Sequence, residues 1–248
     1  MTNKQRKIVM ISAVFALTFG ITPVANAMHI MEGYLPASYC IGWGVICIPF
    51  LISGFFSIKK TLAANARLLP LAAMAGAFIF VISSLKIPSV TGSCSHMTGT
   101  GLGAILFGPS AVSILGIIVL LFQAILLAHG GLTTLGANTF SMAVAGPFVS
   151  YGIYALCKKA KVNQKVSVFL AATLGDLCTY CVTAIQMALA HHADTTVFGA
   201  MGKFLAVFAP TQLPLAVIEG ILTVLIVTAL ESYAKPELRA IGFIKEVH

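Results

Sequence analysis

The chain has 248 residues, of which 58% are hydrophobic and only 9% are charged. Soluble domains carry about a quarter charged residues, so this composition excludes an ordinary soluble globule, a disordered protein and a nucleic-acid-binding module. The formal net charge is +8, but the basic residues stand in short runs between apolar segments, which is typical of membrane orientation signals. The class that remains is an all-α, polytopic membrane helical bundle.

The N-terminus has the pattern of a secretory signal peptide. A basic start precedes an apolar run over residues 8–21, and the stretch that ends at Ala27 has the small-x-small pattern of a signal-peptidase site. The alternative is an uncleaved membrane helix, but this run is shorter than the ~20 residues that span a bilayer. We expect residues 1–27 to be removed. The mature part, 28–248, then forms one membrane-embedded domain with a free α-amine on Met28.

Hydropathy predicts about seven membrane segments in the mature chain. The predicted spans lie at residues 38–57, 68–85, 102–128 (crossing twice), 140–157, 166–190 and 213–230, with a moderately apolar stretch at 198–208. The cleaved signal delivers the mature N-terminus to the outside of the cell membrane. Counting the spans from there places the C-terminus inside.

The double crossing of residues 102–128 is inferred from the positions of the lysine residues. The cluster at 158–165 belongs inside by the positive-inside rule, so the span at 140–157 must start outside. The stretch 102–128 must then cross twice, although two full helices need ~40 residues. We therefore expect a short or re-entrant leg, a turn at Gly108-Pro109 and one long leg. A six-span alternative would place the lysine cluster outside.

Two polar motifs on the outer side carry metal-binding chemistry. The α-amine of Met28, the amide nitrogen of His29 and its imidazole can form fused chelate rings, and such nitrogen donors suit nickel, copper or cobalt. The alternative is an ordinary surface histidine near a chain end. The stretch 92–101 carries His96 among small residues, and this imidazole can supply a fourth nitrogen. Cys94 is a softer competitor, which we rank lower because a thiolate would hold the metal too strongly for release.

Other polar residues are weaker candidates. His129 ends a span and is expected at the membrane interface. His191 and His192, with Asp194, resemble a metal cluster but are expected to form an external loop. Glu32 can orient the metal site as a hydrogen-bond acceptor.

Two carboxylates, Asp176 and Glu219, fall inside apolar spans, where charged groups are costly and often functional. They can pair with amides such as Gln186 or Gln212, or bias a cavity towards cations. The alternative for both is a satisfied structural hydrogen bond.

The mature start MHIMEGYLP (28–36) and the run CSHMTGTGLG (94–103) together resemble the CbiM/NikM family. These proteins are the substrate-capturing membrane components of energy-coupling factor (ECF) importers for cobalt and nickel. The resemblance covers essentially the whole chain, including its seven-span layout. It implies that the metal is held by the terminal amine of Met28, by His29 and by His96.

The resemblance also implies the partners and the substrate. The chain would work with a CbiQ-like transmembrane coupling subunit, CbiO-like ATPases and a CbiN-like small accessory membrane subunit. It would itself have no catalytic residues and no resident cofactor, and would pass Co(II) inward for cobalamin biosynthesis. The continuation Met31-Glu32-Gly33 is closer to the cobalt branch than to the nickel branch.

Three alternatives stay open beside this assignment. The first is a nickel-specific homologue of the same importer type. The second is a stand-alone cation transporter, although only one helix break is evident. The third is a membrane metallohydrolase, which is disfavoured because no His-Glu-x-x-His motif is present.

Overall fold

The computed structural model describes residues 29–88, 94–192 and 195–244. The predicted signal peptide, Met28 and Asp194 lie outside the described residues, and so does the side chain of Cys94.

The described chain is mainly helical, as the composition predicts. Its elements in order are α1 (Ala37–Ala64), α2 (Leu68–Ser84), β1 (Ile87–Pro88), β2 (Cys94–Ser95), α3 (Thr100–Phe107), α4 (Pro109–Leu127), α5 (Leu135–Asn138), a π-helical segment (Thr139–Ala145), α6 (Gly146–Lys159), α7 (Gln164–Ala190), α8 (Val197–Tyr233) and α9 (Lys235–Ala240). The π-helical segment joins α5 and α6 into one rod. The two short strands pair antiparallel, with Ile87 opposite Ser95.

Five helical rods in the described part are long and apolar enough to cross a membrane. They are α1, α4, the rod Leu135–Lys159, α7 and α8. The apolar helix α2 is shorter, with 17 residues. Many large apolar side chains on α1 and α4 face outwards, which suits contact with lipid rather than with water. These features define a multi-pass membrane protein.

The predicted turn at Gly108-Pro109 lies where the sequence places it. The short helix α3 ends at Gly108, whose φ of +85° favours glycine. Pro109 then opens α4, where the missing N–H of proline removes no helical hydrogen bond. Every residue of α3 is buried, so the broken backbone is shielded by protein, as irregular structure at membrane depth requires.

The C-terminal half of the chain differs from the prediction. The sequence separates a stretch at 198–208 from a span at 213–230, whereas the structure has one helix, α8, of 37 residues with Pro210 and Pro214 inside it. Proline removes one helical hydrogen bond, but neighbouring helices can re-satisfy the freed groups in a membrane bundle. A helix of this length is ~55 Å long, so it extends past a hydrocarbon core of ~30 Å.

Lysines near the ends of two helices lie at the same end of the bundle. Lys60 at the end of α1 and Lys158 at the end of α6 both line grooves that border Ile241 of the C-terminal segment. That segment packs onto the bundle, since Leu238 is fully buried and the Phe243 ring stacks on Tyr154. The segment that contains Leu238, Ile241 and Phe243 and these two basic residues therefore share one end.

Candidate metal site

Three histidines from distant parts of the chain meet in the interior. His29 precedes α1, His96 follows β2, and His129 follows α4. One imidazole nitrogen from each lies within 4.8 Å of the others. Their exposed fractions are only 3%, 1% and 1%. Lone histidines are common in proteins, but three buried imidazoles in contact form a typical donor set for a divalent transition metal.

The distances within this histidine cluster are short. His29 Nδ1 lies 2.5 Å from His96 Nε2. The ring centroids are 4.3 Å apart for His29 and His96, 4.3 Å for His29 and His129, and 5.0 Å for His96 and His129. His29 Nε2 and both ring nitrogens of His129 have no hydrogen-bond partner in the described part of the chain. Buried polar atoms normally have one, so these nitrogens carry donor capacity that the protein itself does not use.

The orientation of His96 is set by its neighbour. His96 Nδ1 lies 2.8 Å from the backbone oxygen of Met97, and an N–H donated there leaves Nε2 with a free lone pair. That lone pair faces His29. Metal-binding histidines commonly use one ring nitrogen in this way to fix the tautomer of the other.

Burial keeps these imidazoles neutral. It lowers the pKa of His129 to about 2 and that of His96 to about 4. Burial also holds the pKa of His29 well below its ordinary value, and the neighbouring His96 and His129 lower it further. All three lie in loops outside the long apolar helices. Since a metal binds only the unprotonated ring nitrogen, the cluster is ready for a cation at neutral pH.

The segment after His29 is fastened to α5. The Asn138 side chain accepts a hydrogen bond from the Ile30 backbone N–H at 2.8 Å and donates one to the Ile30 oxygen at 3.0 Å. The Thr134 hydroxyl donates to the same oxygen at 2.6 Å. These bonds fix the backbone next to His29 and so determine the position of its ring in the cluster.

Glu32 acts on the loop that carries His129. Its Oε1 accepts from the Thr133 hydroxyl at 2.5 Å, and its Oε2 accepts from the Thr133 backbone N–H at 3.1 Å. These bonds lower the pKa of Glu32, the hydroxyl bond most. The carboxylate thereby joins the N-terminal segment to the loop after α4.

We expect Gly131→Ala to loosen this junction. A Cβ at Gly131 would lie 2.4 Å from Glu32 Oε2 and 2.6 Å from Glu32 Cα, so backbone must move. Co(II) affinity of the purified mature chain, measured by titration, should fall ~10-fold or more, the range seen for groups that support metal ligands, with helical content unchanged. Gly152→Ala on α6 is the matched control, because its Cβ would meet nothing within 4 Å. Equal affinity in both variants would contradict the prediction.

His129 joins the cluster although the sequence ranks it only as a weaker candidate. It follows the end of α4, as the sequence predicts, and it is buried against His29. Ala128 and Gly130, with φ of +46° and +80°, turn the chain back into the bundle on either side of it. The signal in the sequence is a histidine followed by two glycines, which resembles the small-residue setting of His96.

His191 and His192 stay outside the cluster, as predicted. His191 Nε2 bonds to the Tyr34 backbone oxygen at 2.8 Å, and His192 Nδ1 lies 3.1 Å from the Ala188 oxygen. Both are exposed.

Asp176 pairs with one of the two amides that the sequence left open. Gln212 Nε2 donates to Asp176 Oδ2 at 2.6 Å, whereas Gln186 donates instead to the Ala137 backbone oxygen at 3.0 Å. Glu219 is bonded to Thr98, two residues after His96.

Long apolar helices whose loops converge on three buried imidazoles define a polytopic membrane protein with a candidate transition-metal site. The chain belongs to the CbiM family, since the family model described as the cobalt uptake substrate-specific transmembrane region matches residues 29–238. The family resemblance of the two sequence motifs is thus confirmed.

Similar proteins agree with this assignment. A cobalt transport protein CbiM of Lachnoclostridium phytofermentans is 70% identical over 245 residues, covering 98% of each chain. Another, from Chlorobium limicola, is 61% identical and covers 89% of this chain and 87% of the relative. A solved structure described as a truncated transition metal transporter has a TM-score of 0.73 and 30% identity, and the match covers 83% of this chain and 99% of that one. These relatives are named as transport proteins and not as enzymes.

Proposed function

We propose that this chain is the substrate-capture component of an ECF-type importer and binds Co(II) as its transported substrate. The observation that carries the proposal is the convergence of His29, His96 and His129 in a buried cluster. The names of the similar proteins support cobalt as the substrate. Nickel is the alternative, because the same nitrogen donors suit both ions.

The proposed ligands are the terminal amine of Met28, the imidazole of His29 and the imidazole of His96. Removal of residues 1–27 by signal peptidase creates that amine directly before His29. We add His129 as a further donor, since both of its ring nitrogens are buried and unpartnered. The site needs no resident cofactor, because the metal is cargo.

The topology we propose has about seven membrane segments, with α3 as the short one. The mature N-terminus lies outside and the C-terminus inside the cell membrane. The shared end of Lys60, Lys158 and Ile241 supports this orientation, because basic residues favour the cytoplasmic side. The histidine cluster then lies on the outer side of the bundle, at the opposite end from these basic residues.

The partners we propose are a CbiQ-like coupling subunit, CbiO-like ATPases and a CbiN-like accessory subunit. ATP hydrolysis belongs to the ATPases, and the metal delivered serves cobalamin biosynthesis.

Uptake measurements test this assignment. Vesicles that contain the complete importer should accumulate radioactive cobalt only with ATP, and vesicles that contain this chain alone should accumulate none. Excess unlabelled Ni(II) should compete less well than unlabelled Co(II). Cobalt flux through the chain alone would instead favour a stand-alone transporter, and stronger competition by Ni(II) would favour the nickel-specific alternative.

A further inference from the structure

Two carboxylates lie buried beside the loop that carries His96. Asp176 on α7 is 1% exposed and Glu219 on α8 is 0% exposed, although both helices are apolar enough to cross a membrane. The two carboxyls lie close enough to interact with each other. Ionisable residues inside membrane helices are costly and often belong to ion pathways.

Both carboxyls are tied to the His96 loop. Glu219 Oε2 accepts from the Thr98 backbone N–H at 2.6 Å, and its Oε1 accepts from the Thr98 hydroxyl at 3.0 Å. Gln212 Nε2 donates to Asp176 Oδ2 at 2.6 Å and to the His96 backbone oxygen at 3.2 Å. The carboxyl of Asp176 is therefore two hydrogen bonds from a proposed ligand of the histidine cluster.

The pair retains oxygen atoms that the protein does not use. Asp176 Oδ1 and Gln212 Oε1 are buried and have no hydrogen-bond partner within the described chain. Two carboxylates in contact repel each other unless a proton or a cation lies between them. Oxygen donors around such a charge suit a divalent cation.

A polar stripe connects this pair with the histidine cluster. Thr183, Thr179 and Asp176 follow one another along α7 at spacings of four and three residues, so they share a face of the helix, and all are buried. Thr179 and Thr183 line the same small cavity as His29 and His96. The stripe places polar side chains between the histidine cluster and the two carboxyls.

We propose that Asp176, Glu219 and Gln212 form a second, oxygen-lined cation site that receives the divalent metal from the histidine cluster during transport. The inference rests on the proposed function. In the transfer the metal exchanges imidazole nitrogens for carboxylate oxygens, and its two positive charges are balanced by the two carboxylates. Late divalent metals prefer nitrogen to oxygen donors, so the second site binds more weakly. A transit site must be weak enough to release its ion.

The test separates capture from transport. Asp176→Asn keeps the shape of the side chain and removes its charge. In vesicles with the complete importer, radioactive cobalt uptake should fall ~10-fold or more, the scale on which changes at metal sites act. The purified mature chain should keep its Co(II) affinity within ~3-fold, because the nitrogen ligands are untouched. Asp176→Glu, which retains a carboxylate, should restore part of the uptake.

Glu219→Gln provides a second variant with a matched control. Glu231→Gln makes the same change on the same helix, ~18 Å further along, where the carboxyl is bonded to Gln164. Uptake should fall in the first variant and stay at the wild-type rate in the second.

The outcomes distinguish the two proposals. If the wild-type chain binds no Co(II), the proposed function fails. If the wild type binds and transports while Asp176→Asn and Glu219→Gln transport equally well, the second site is overturned. It is also overturned if both variants lose Co(II) affinity together with uptake, because the carboxyls would then only support the His96 loop.

Discussion

Replacing His96 with alanine is expected to lower the Co(II) affinity of the purified mature chain by at least ~100-fold. Loss of a supporting group of a metal site costs ~10–100-fold, and loss of a direct donor should reach the top of that range or exceed it. Within the described residues, His96 Nε2 is paired with His29, so the change removes a donor without breaking a bond between two helices. Titration calorimetry with Co(II) gives the affinity directly.

Two further variants make the measurement specific. His191→Ala is the matched control, because this histidine is exposed and contacts Tyr34 rather than the histidine cluster. The Co(II) affinity of this variant should equal that of the wild type. His129→Ala should lower the affinity ~10-fold or more and change the visible absorption of bound Co(II), which reports the number of ligands. If His129→Ala leaves both unchanged, His129 packs against the site and does not coordinate. If His96→Ala binds Co(II) normally, the proposed site is wrong.

Adding one alanine before Met28 is expected to abolish tight Co(II) binding by the mature chain. The added residue converts the α-amine of Met28 into a peptide nitrogen and moves the new amine away from His29. Folding should be unaffected, because Ile30 remains bonded to Asn138 and Thr134. The matched control carries the extra alanine after His248. Binding at the wild-type affinity by the N-terminally extended chain would exclude the amine as a ligand.

The pH dependence of binding provides an independent test of the amine. An α-amine has a pKa of ~8, so a site that uses it loses affinity ~10-fold for each pH unit below that value. Protonation of His96 and His129 should not weaken Co(II) binding at mild acidity. Burial lowers the pKa of His96 to about 4 and that of His129 to about 2, so these rings take up protons only below those values. The wild-type chain should therefore weaken steadily from pH 8 to pH 5. An affinity that stays flat over this range would indicate a site made of imidazoles alone.

Local features of the sequence were sufficient to predict several parts of the fold. The short helix before Gly108 and the long helix after Pro109 follow from residues whose backbone preferences are intrinsic. By contrast, hydropathy separates the stretch 198–208 from the span 213–230, whereas the structure has one continuous helix with Pro210 and Pro214 inside it. Proline acts against a helix through one lost hydrogen bond, and only the surrounding helices decide whether that loss ends the helix.

Long-range placement decided the rest of the candidate site. Glu32 and Thr133 are 101 positions apart in the chain, and their hydrogen bonds join the segments that carry His29 and His129. The two histidines are therefore held side by side. Nothing in the spacing of residues 28–36 and 94–103 indicates that a third histidine joins them. The connection of Asp176 to His96 through Gln212 is equally invisible in the sequence, since it needs α7 and α8 to be packed together.

The sequence by itself determined the class of protein, the break at Gly108-Pro109 and the two histidine motifs, because composition, backbone preference and short motifs are properties of neighbouring residues. The tertiary structure alone decided that α8 is continuous and that His129 joins His29 and His96. It also decided that Asp176 and Glu219 lie beside the loop that carries His96. These features depend on which helices pack against one another. That choice is made by burial of apolar surface and by the pairing of buried polar groups over the whole chain, which no local pattern specifies.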